Sequence, residues 1–301
     1  MASDLAVKEI ERFLEEATRK KSEELLITYQ GVFYPSLCSA ETFQALDMME
    51  VRKDDVFLVA YPKSGTNWVK KILNDLTASL QKEAPTLEQH MMLEFGKPEK
   101  FQKIKDSSSP RVFYTHLHYD NIPKSVFEKK AKIVVVFRNP KDTAVSYYHF
   151  YNNNPVLPTM SSWDEFFQKF ISGEVCWSSY FDHALAWNRH IDDENILIIT
   201  YEELKENLYE GVKKIAEFLG LTLPEEKMQS IAENATFQSM SSKSAETHGK
   251  FGPIIFRKGV VQDWKTLFTE AQSQEMDAKF EECLAGTKLG AVLKYDIYCK
   301  F

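Results

Sequence analysis

The sequence predicts a single α/β domain with a mostly parallel central sheet, flanking helices and a P-loop-like strand–loop–helix phosphate site. Three observations support this fold class: four apolar runs rich in β-branched residues, helical patterns between them, and a glycine-containing loop after the first run. Near-continuous apolar runs are what parallel strands need when helices cover both faces of their sheet. The predicted strands are residues 56–60, 111–115, 133–137 and 196–199.

Helical patterns surround these strands. A helix is predicted after Gly65, because apolar residues recur there at the spacing i, i+3, i+4, i+7. Its apolar face consists of Val69, Ile72, Leu73 and Leu76. A second helix is predicted over 202–219, since Gly220 suits the position that follows a helix C-terminus. Residues 4–24 predict a polar helix, and residues 1–30 are interpreted as a helical appendage to a domain spanning 31–301.

Composition narrows the classes of function. The chain has 301 residues, 44% of them hydrophobic, and a formal net charge of −7. An acidic chain of this kind is not expected to bind nucleic acid or an anionic membrane surface, so any anionic ligand needs a local basic site. Four widely spaced cysteines and the lack of an apolar leader or of a run approaching the ~18 residues of a membrane span predict a cytoplasmic protein with reduced thiols.

The loop after the first strand has the composition of an anion-binding site. Residues 61–68 read YPKSGTNW and lead directly into the predicted helix, whose N-terminus presents free N–H groups. Gly65 permits close backbone approach, Lys63 supplies a charge, and Ser64 and Thr66 supply hydroxyl donors. The loop differs from the nucleotide-hydrolase pattern G-x-x-x-x-G-K-[ST] because its lysine precedes its glycine. An ordinary strand–helix turn capped by Thr66 is the alternative interpretation.

Four motifs in order give the chain a resemblance to a known family. They are YPKSGT at 61–66, THL at 115–117, FRNPKD at 137–142 with VSYYHF at 145–150, and RKG at 257–259 with DWK at 263–265. Together they resemble the cytosolic sulfotransferases, and the likeness runs from about Tyr34 to the C-terminus. It implies that 31–301 is a catalytic domain acting in small-molecule metabolism.

The resemblance implies a cofactor and the residues that hold it. The sulfuryl donor would be 3′-phosphoadenylyl sulfate (PAPS), leaving adenosine 3′,5′-bisphosphate (PAP). Lys63 resembles the lysine that stabilises the leaving phosphate, and Arg138 with Ser146 resembles the pair that holds the 3′-phosphate. Adenine would lie between Trp68 and Phe237, with Tyr201 at its edge. The remaining implied donor-binding residues are Ser64, Gly65, Thr66, Asn67, Thr236, Met240, Phe256, Arg257, Lys258 and Gly259.

His116 resembles the family's general base. A neutral imidazole can take the proton of an attacking hydroxyl or amine near pH 7, and Lys63 can stabilise charge on the leaving group. No metal is expected. Tyr114 departs from the family, many of whose members have a lysine two residues before the histidine. Because a phenol carries no positive charge at neutral pH, turnover or acceptor choice is expected to change.

The acceptor is expected to be a small molecule, with phenols favoured by the aromatic residues. The candidate pocket residues are Tyr34, Tyr114, His118, Phe150 and Tyr151, with Phe95 and Phe251 as further aromatic candidates. Each of these has an alternative role in the core or on the surface. Residues 152–154, three consecutive asparagines, are predicted to form a loop at the pocket mouth.

Three other functions are weighed. A P-loop kinase would need a lysine after the glycine and an acidic magnesium ligand, which the sequence lacks. A metallohydrolase could use the H-x-H-x-D string at 116–120, but residue 121 is asparagine where another histidine usually follows. A nucleotide-binding family member with little catalysis remains open because of Tyr114.

The oligomeric state is predicted to be a monomer or a weak homodimer. Dimers of the family often use a motif of the form K-x-x-x-T-V-x-x-x-E. Lys265 and Thr269 fit this motif, whereas Glu270 replaces the valine and Gln274 replaces the glutamate. A charge in the apolar centre of a small interface is costly unless it is paired.

Overall fold

A computed structural model describes residues 2–81, 83 and 86–300. Its centre is a four-stranded parallel sheet, with a short antiparallel hairpin beside it. The strands are β1 (Leu26–Tyr29), β2 (Val32–Pro35), β3 (Val56–Ala60), β4 (Val112–Thr115), β5 (Lys132–Phe137) and β6 (Ile196–Thr200). The parallel sheet has the order β4-β3-β5-β6, and Val56 of β3 lies opposite both Val112 and Lys132. The predicted fold class is confirmed.

Helices precede, connect and follow the strands. In the N-terminal half they are α1 (Ala2–Ala17), α2 (Ala40–Asp47), α3 (Thr66–Thr77), α4 (Leu87–His90), α5 (Lys100–Lys105), α6 (Lys124–Glu128) and α7 (Pro140–Asn153). The remaining helices are α8 (Trp163–Ser172), α9 (Tyr180–Asn188), α10 (Tyr201–Glu206), α11 (Leu208–Leu219), α12 (Glu225–Asn234), α13 (Phe237–Ser242), α14 (Ser244–His248), α15 (Gly252–Ile255), α16 (Glu270–Cys283), α17 (Lys288–Val292) and α18 (Tyr295–Tyr298). Short 3-10 turns occur at Ser22–Glu24, Tyr119–Asn121, Gly249–Phe251 and Asp263–Thr266.

The two faces of the sheet pack into separate apolar cores. Along β3, Phe57 and Val59 face one core, and Leu58 and Ala60 face the other, where α3 packs. All five residues of β3 are buried. Burial on both faces is the reason that the strands read as continuous apolar runs instead of an alternating pattern.

Parallel strand order brings four chain segments to one edge of the sheet. Residues 61–65 follow β3, His116 follows β4, Arg138 follows β5, and Tyr201 follows β6. Since the carboxyl ends of parallel strands share an edge, ligand-binding side chains converge there. This edge is the candidate site.

Three local predictions need correction. The predicted helix over 202–219 is two helices, because Asn207 ends α10 and its side chain accepts the Glu210 N–H to begin α11. Helix α1 covers Ala2–Ala17 instead of 4–24. Asn152 and Asn153 belong to the last turn of α7 and not to a loop. Among the described residues, no helix is both long and apolar enough to cross a membrane.

Candidate active site

The loop between β3 and α3 presents polar groups that lack protein partners. Gly65 has φ +112°, and a Cβ there would lie 3.1 Å from Cδ2 of Tyr201, so the turn requires glycine. The hydroxyls of Ser64 and Thr66 are buried, and neither has a hydrogen-bond partner among the described residues. Unpaired buried donors at a helix N-terminus suit an anion.

Three cations converge beside this loop. Burial, followed by the nearby guanidinium groups of Arg138 and Arg257, lowers the pKa of Lys63 to about 7. Arg138 donates from Nη2 to the Val260 carbonyl at 2.8 Å, and its buried Nε has no partner among the described atoms. The Arg138 guanidinium also lies 4.3 Å from the ring centre of Tyr201. A polyanionic ligand bound here would neutralise the positive charges of these three side chains.

Residues 257–264 are tied to the start of α7. Asp263 forms ion pairs with Arg257 and with Lys258, the latter at 2.7 Å. Asp142 accepts the backbone N–H groups of Gln262 at 2.7 Å and Trp264 at 2.9 Å. This carboxylate therefore places the Arg257–Lys258 segment against the helix that carries Ser146, which is partly buried on its second turn.

Aromatic rings line the adjacent space. The rings of Trp68 and Tyr201 lie 5.0 Å apart, and the buried Trp68 Nε1 is without a partner among the described residues. Gly259 has φ +66°, and a Cβ there would lie 2.2 Å from the ring of Phe237, so the chain touches that ring only because residue 259 is glycine. The rings of Phe237 and Phe256 are 6.4 Å apart.

The other predicted donor-binding residues lie on the same elements. Asn67 is in the first turn of α3, and Thr236 caps α13 by accepting the Ser239 N–H at 3.3 Å. Met240 is on α13, partly buried. The predicted donor-binding residues therefore occupy one edge of the sheet and the segments packed over it.

The hydrogen bond of the His116 ring shows which of its two nitrogens carries the hydrogen. Its Nδ1 lies 2.6 Å from the Ala60 carbonyl oxygen. A carbonyl oxygen only accepts, so Nδ1 carries the hydrogen and Nε2 is left as an acceptor. Burial is the main cause that lowers the pKa of His116 to about 4, with Lys63 contributing, so the imidazole is neutral at pH 7.

Two residues near His116 were missed by sequence reasoning. Glu94 accepts from the His116 N–H at 2.9 Å, the Thr115 hydroxyl at 2.8 Å and Trp177 Nε1 at 3.1 Å. The Trp177 ring lies 4.9 Å from the His116 ring. The available signal for Glu94 was its place between two apolar residues, Leu93 and Phe95, because a carboxylate buried among apolar neighbours needs hydrogen-bond donors around it.

The predicted acceptor residues divide into two groups. Tyr34 and Phe95 lie 6.2 Å and 6.1 Å from the Trp177 ring. Phe150 lies 4.2 Å from Lys63 Nζ and 5.8 Å from the ring of Phe251. Of these rings, Trp177 contacts His116 and Phe150 lies beside Lys63.

The second group points elsewhere. Tyr151 is buried among core aromatics, and its hydroxyl accepts the Cys176 N–H at 2.7 Å. Tyr114 is buried, and its hydroxyl donates to Asn74 Oδ1 at 2.6 Å. His118 donates from Nε2 to the Trp177 carbonyl at 2.9 Å and contacts the ring of buried His183. Among the described residues, no group of three or more His, Cys, Asp or Glu side chains could hold a metal ion.

Comparison with known proteins identifies the class. The sequence model described as the sulfotransferase domain matches residues 53–288. The chain belongs to the sulfotransferase family and is a sulfotransferase enzyme, which confirms the resemblance seen in its motifs.

Particular relatives match over nearly the whole chain. Mouse and human sulfotransferase 6B1 are each 53% identical, the mouse protein over 95% of this chain and 96% of its own length, the human protein over 96% and 97%. Dog sulfotransferase 1A1 is 36% identical over 83% of this chain and 90% of its own. The crystal structure of mouse sulfotransferase SULT7A1 complexed with PAP has a TM-score of 0.83 and 36% identity, covering 91% of this chain and 99% of that one.

Proposed function

We propose that this protein transfers a sulfuryl group from PAPS to the hydroxyl of a small phenolic acceptor, or to an amine, with His116 as general base. The observation that carries the proposal is the hydrogen bond between His116 Nδ1 and the Ala60 carbonyl, which leaves Nε2 free to accept a proton beside the cationic loop. Mouse SULT7A1, a structural relative, was crystallised with PAP, which supports the choice of donor.

The residues present fit this donor. The unpaired hydroxyls of Ser64 and Thr66 would bind the 5′-phosphate end, together with Lys63. Arg138, Ser146 and the Arg257–Gly259 segment would hold the 3′-phosphate, and Trp68 with Phe237 would flank the adenine. When bound, the donor supplies the sulfuryl group that is transferred and the phosphate that leaves.

His116 prepares the acceptor for attack. Because its imidazole is neutral at pH 7, Nε2 can accept the proton of a hydroxyl as that oxygen forms its bond to sulfur. The hydrogen bond to Ala60 keeps the ring in the required tautomer and orientation. Trp177, packed edge-to-face on the imidazole, restricts its rotation.

Lys63 stabilises negative charge that develops on the leaving phosphate. Fixed charges in a water-poor site stabilise developing charge more strongly than charges in bulk water. A bound polyanion also offsets the positive field of Arg138 and Arg257, so it raises the pKa of Lys63 and keeps the ammonium charged during transfer.

Phenols are favoured as acceptors by the rings around His116. Trp177 packs on the imidazole, Tyr34 and Phe95 pack on Trp177, and Phe150 lies beside Lys63. An aromatic acceptor can stack on these rings while its hydroxyl reaches Nε2.

The test compares two variants with the parent protein. An asparagine side chain at residue 116 can still donate to the Ala60 carbonyl but has no group at the position of Nε2. We expect His116→Asn to lower kcat for sulfation of a simple phenol by about 10² to 10⁴-fold, with little change in PAP affinity. Lys63→Met should lower both kcat and PAP affinity.

The measurements are transfer of label from PAPS and calorimetric titration with PAP. If His116→Asn retains most of the parent's kcat, His116 is not the base. If the parent binds PAP but sulfates no phenol or amine, the nucleotide-binding alternative with little catalysis replaces the proposal.

A further inference from the structure

A buried lysine holds the turn that carries Glu94. This turn lies between α4 and α5, outside the helices and strands. Lys100, the first residue of α5, is only 6% exposed. Its Nζ donates to three carbonyl oxygens of the turn, those of Met92 at 3.0 Å, Leu93 at 2.6 Å and Phe95. An ammonium group has three hydrogens to donate, so this turn can use all of them.

The charges of Lys100 and Glu94 stabilise each other. Burial lowers the pKa of Lys100, and the charge of Glu94 acts in the opposite direction. Burial raises the pKa of Glu94, and the charge of Lys100 is among the causes that oppose this rise. A buried charge is costly unless hydrogen bonds and an opposite charge compensate it, and each of these two groups has both.

Glu94 connects this turn to His116. Its carboxylate accepts the His116 N–H at 2.9 Å, the Thr115 hydroxyl at 2.8 Å and Trp177 Nε1 at 3.1 Å. The Trp177 ring in turn packs edge-to-face on the His116 imidazole, with the ring centres 4.9 Å apart. Displacement of the carboxylate would therefore disturb both the backbone that carries His116 and the ring that packs on it.

Trp177 needs several anchors because its backbone is strained. Trp177 and Ser178 have φ values of +60° and +61°, in the left-handed region that bulky side chains rarely adopt. The Trp177 N–H donates to the Phe33 carbonyl at 2.9 Å, and His118 Nε2 donates to the Trp177 carbonyl at 2.9 Å. These two hydrogen bonds hold the backbone, whereas the hydrogen bond to Glu94 acts on the indole itself.

We propose that Lys100 is a positioning residue for sulfuryl transfer: it holds the Glu94 carboxylate ionised and in place, and Glu94 orients His116 and Trp177. This inference rests on the proposed function, in which His116 is the general base. A neutral side chain at residue 100 would leave three buried carbonyl oxygens without these donors and the carboxylate without this charge. We expect the effect on transfer to the acceptor and not on PAP binding, because the residues proposed to hold the donor lie on other segments.

A double-mutant cycle tests this role. Lys100→Met, Glu94→Gln and the double variant are compared with the parent and with Lys103→Met, a matched control whose exposed ammonium lies on the same helix. The measurements are kcat and KM for sulfation of 4-nitrophenol, PAP affinity by calorimetry, and melting temperature.

We expect Lys100→Met to lower kcat about tenfold, with a smaller change in KM and a PAP affinity near the parent value. In the Glu94→Gln background the same substitution should lower kcat less than about twofold, because the carboxylate that Lys100 supports is already absent. Lys103→Met should leave all four quantities near their parent values.

The outcomes separate the two levels of inference. An equal loss of kcat in both backgrounds, or a lower melting temperature with unchanged kcat, overturns the positioning role and leaves the proposed function standing. If Lys100→Met does not fold, Lys100→Gln, which keeps two N–H donors but no charge, takes its place in the cycle. If the parent sulfates no phenol or amine, or His116→Asn retains its kcat, the proposed function fails and the positioning role fails with it.

Discussion

Lys63 has a strained backbone conformation and a lowered side-chain pKa. Its φ of +69° lies in the left-handed region, which side chains other than glycine and asparagine seldom adopt, at a cost of about 1 kcal/mol or more. Burial, followed by the charges of Arg138 and Arg257, lowers the pKa of Lys63 to about 7. The sequence identified the residue, but it could not show the backbone angle or the convergence of three cations from separate segments.

The lowered pKa of Lys63 predicts pH-dependent binding of PAP. Lysine is charged below its pKa, so the free protein loses this charge as the pH rises through about 7. We expect PAP affinity, measured by calorimetry between pH 6 and 9, to fall by up to about tenfold per pH unit above 7. In Lys63→Arg, which stays charged, the fall should be absent. A parent affinity that is flat across this range would contradict the expectation.

Glu94 is a residue that sequence reasoning could not assign. Its three donors come from Thr115 of β4, from His116 directly after that strand and from Trp177, which lies 83 residues from Glu94 in the sequence. No periodic pattern or motif connects such distant positions. Burial raises the pKa of the Glu94 carboxyl, while the hydrogen bonds from the His116 N–H and the Thr115 hydroxyl and the charge of Lys100 act in the opposite direction.

Replacing Glu94 tests its role in positioning His116. Glu94→Gln brings an amide N–H₂ against groups that are themselves donors, so at least one hydrogen bond is lost. We expect kcat to fall about tenfold, with PAP affinity near the parent value and a lower melting temperature. Transfer kinetics and thermal unfolding are the measurements. Unchanged kcat in a destabilised variant would assign Glu94 a structural role alone.

At the scale of elements, the N-terminus of α7 anchors residues 257–264, the segment proposed to bind a phosphate of the donor. Asn139 caps the helix by accepting the Asp142 N–H at 2.8 Å, and Pro140 occupies the first turn. The sequence itself indicates this cap, because asparagine followed by proline is typical of a helix start. The contact of Asp142 with residues 262 and 264 was not predictable, since it joins segments 120 and 122 residues apart.

Asp142→Asn tests this connection. An amide can replace only part of the acceptor capacity of the carboxylate, so the 257–264 segment should lose an anchoring hydrogen bond. We expect PAP affinity to fall by about tenfold, because leaving a buried N–H unpaired costs about 1–3 kcal/mol. Titration with PAP measures the effect, and Asp75→Asn, remote from this segment, is the control. Equal affinities in both variants and the parent would exclude an anchoring role.

The break between α10 and α11 shows a limit of predicting helix boundaries from the sequence. The sequence predicted one helix over 202–219 that ends before Gly220, and Gly220 does occupy the left-handed position after α11. Asn207 adopts an extended conformation, φ −151° and ψ 93°, and caps the next helix. Because asparagine is tolerated inside helices, the cap could not be distinguished from an interior residue before the structure.

At the scale of the whole molecule, strand order decides where the motifs meet. The four apolar runs predicted the strands to within one residue at each end, and their parallel arrangement follows from burial on both faces. The adjacency β4-β3-β5-β6 does not follow from the strand sequences. The domain boundary near residue 30, the role of each site residue and the cytoplasmic location stay predictions.

The association state can be predicted from exposed residues. Lys265, Thr269, Glu270 and Gln274 are all exposed, and Gln274 Nε2 lies 3.4 Å from Glu270 Oε1. We expect the parent to be monomeric at low micromolar concentration in size-exclusion chromatography with light scattering. The double variant Glu270→Val/Gln274→Glu, which restores the family motif, should shift toward a dimer. A stable parent dimer that uses this segment would contradict the expectation.

The ion pairs of Asp263 affect which anions can bind to Arg257 and Lys258 in a salt solution. Arg257 and Lys258 already share a carboxylate, so an incoming anion has to compete with an internal counter-ion held at fixed distance. Chloride, with a single diffuse charge, competes poorly for such a partner, whereas a phosphate dianion offers several oxygens to the guanidinium fork at once. In the proposed donor site, Asp263 would therefore exclude weakly bound monovalent anions such as chloride and leave these cations to ligands that carry phosphate.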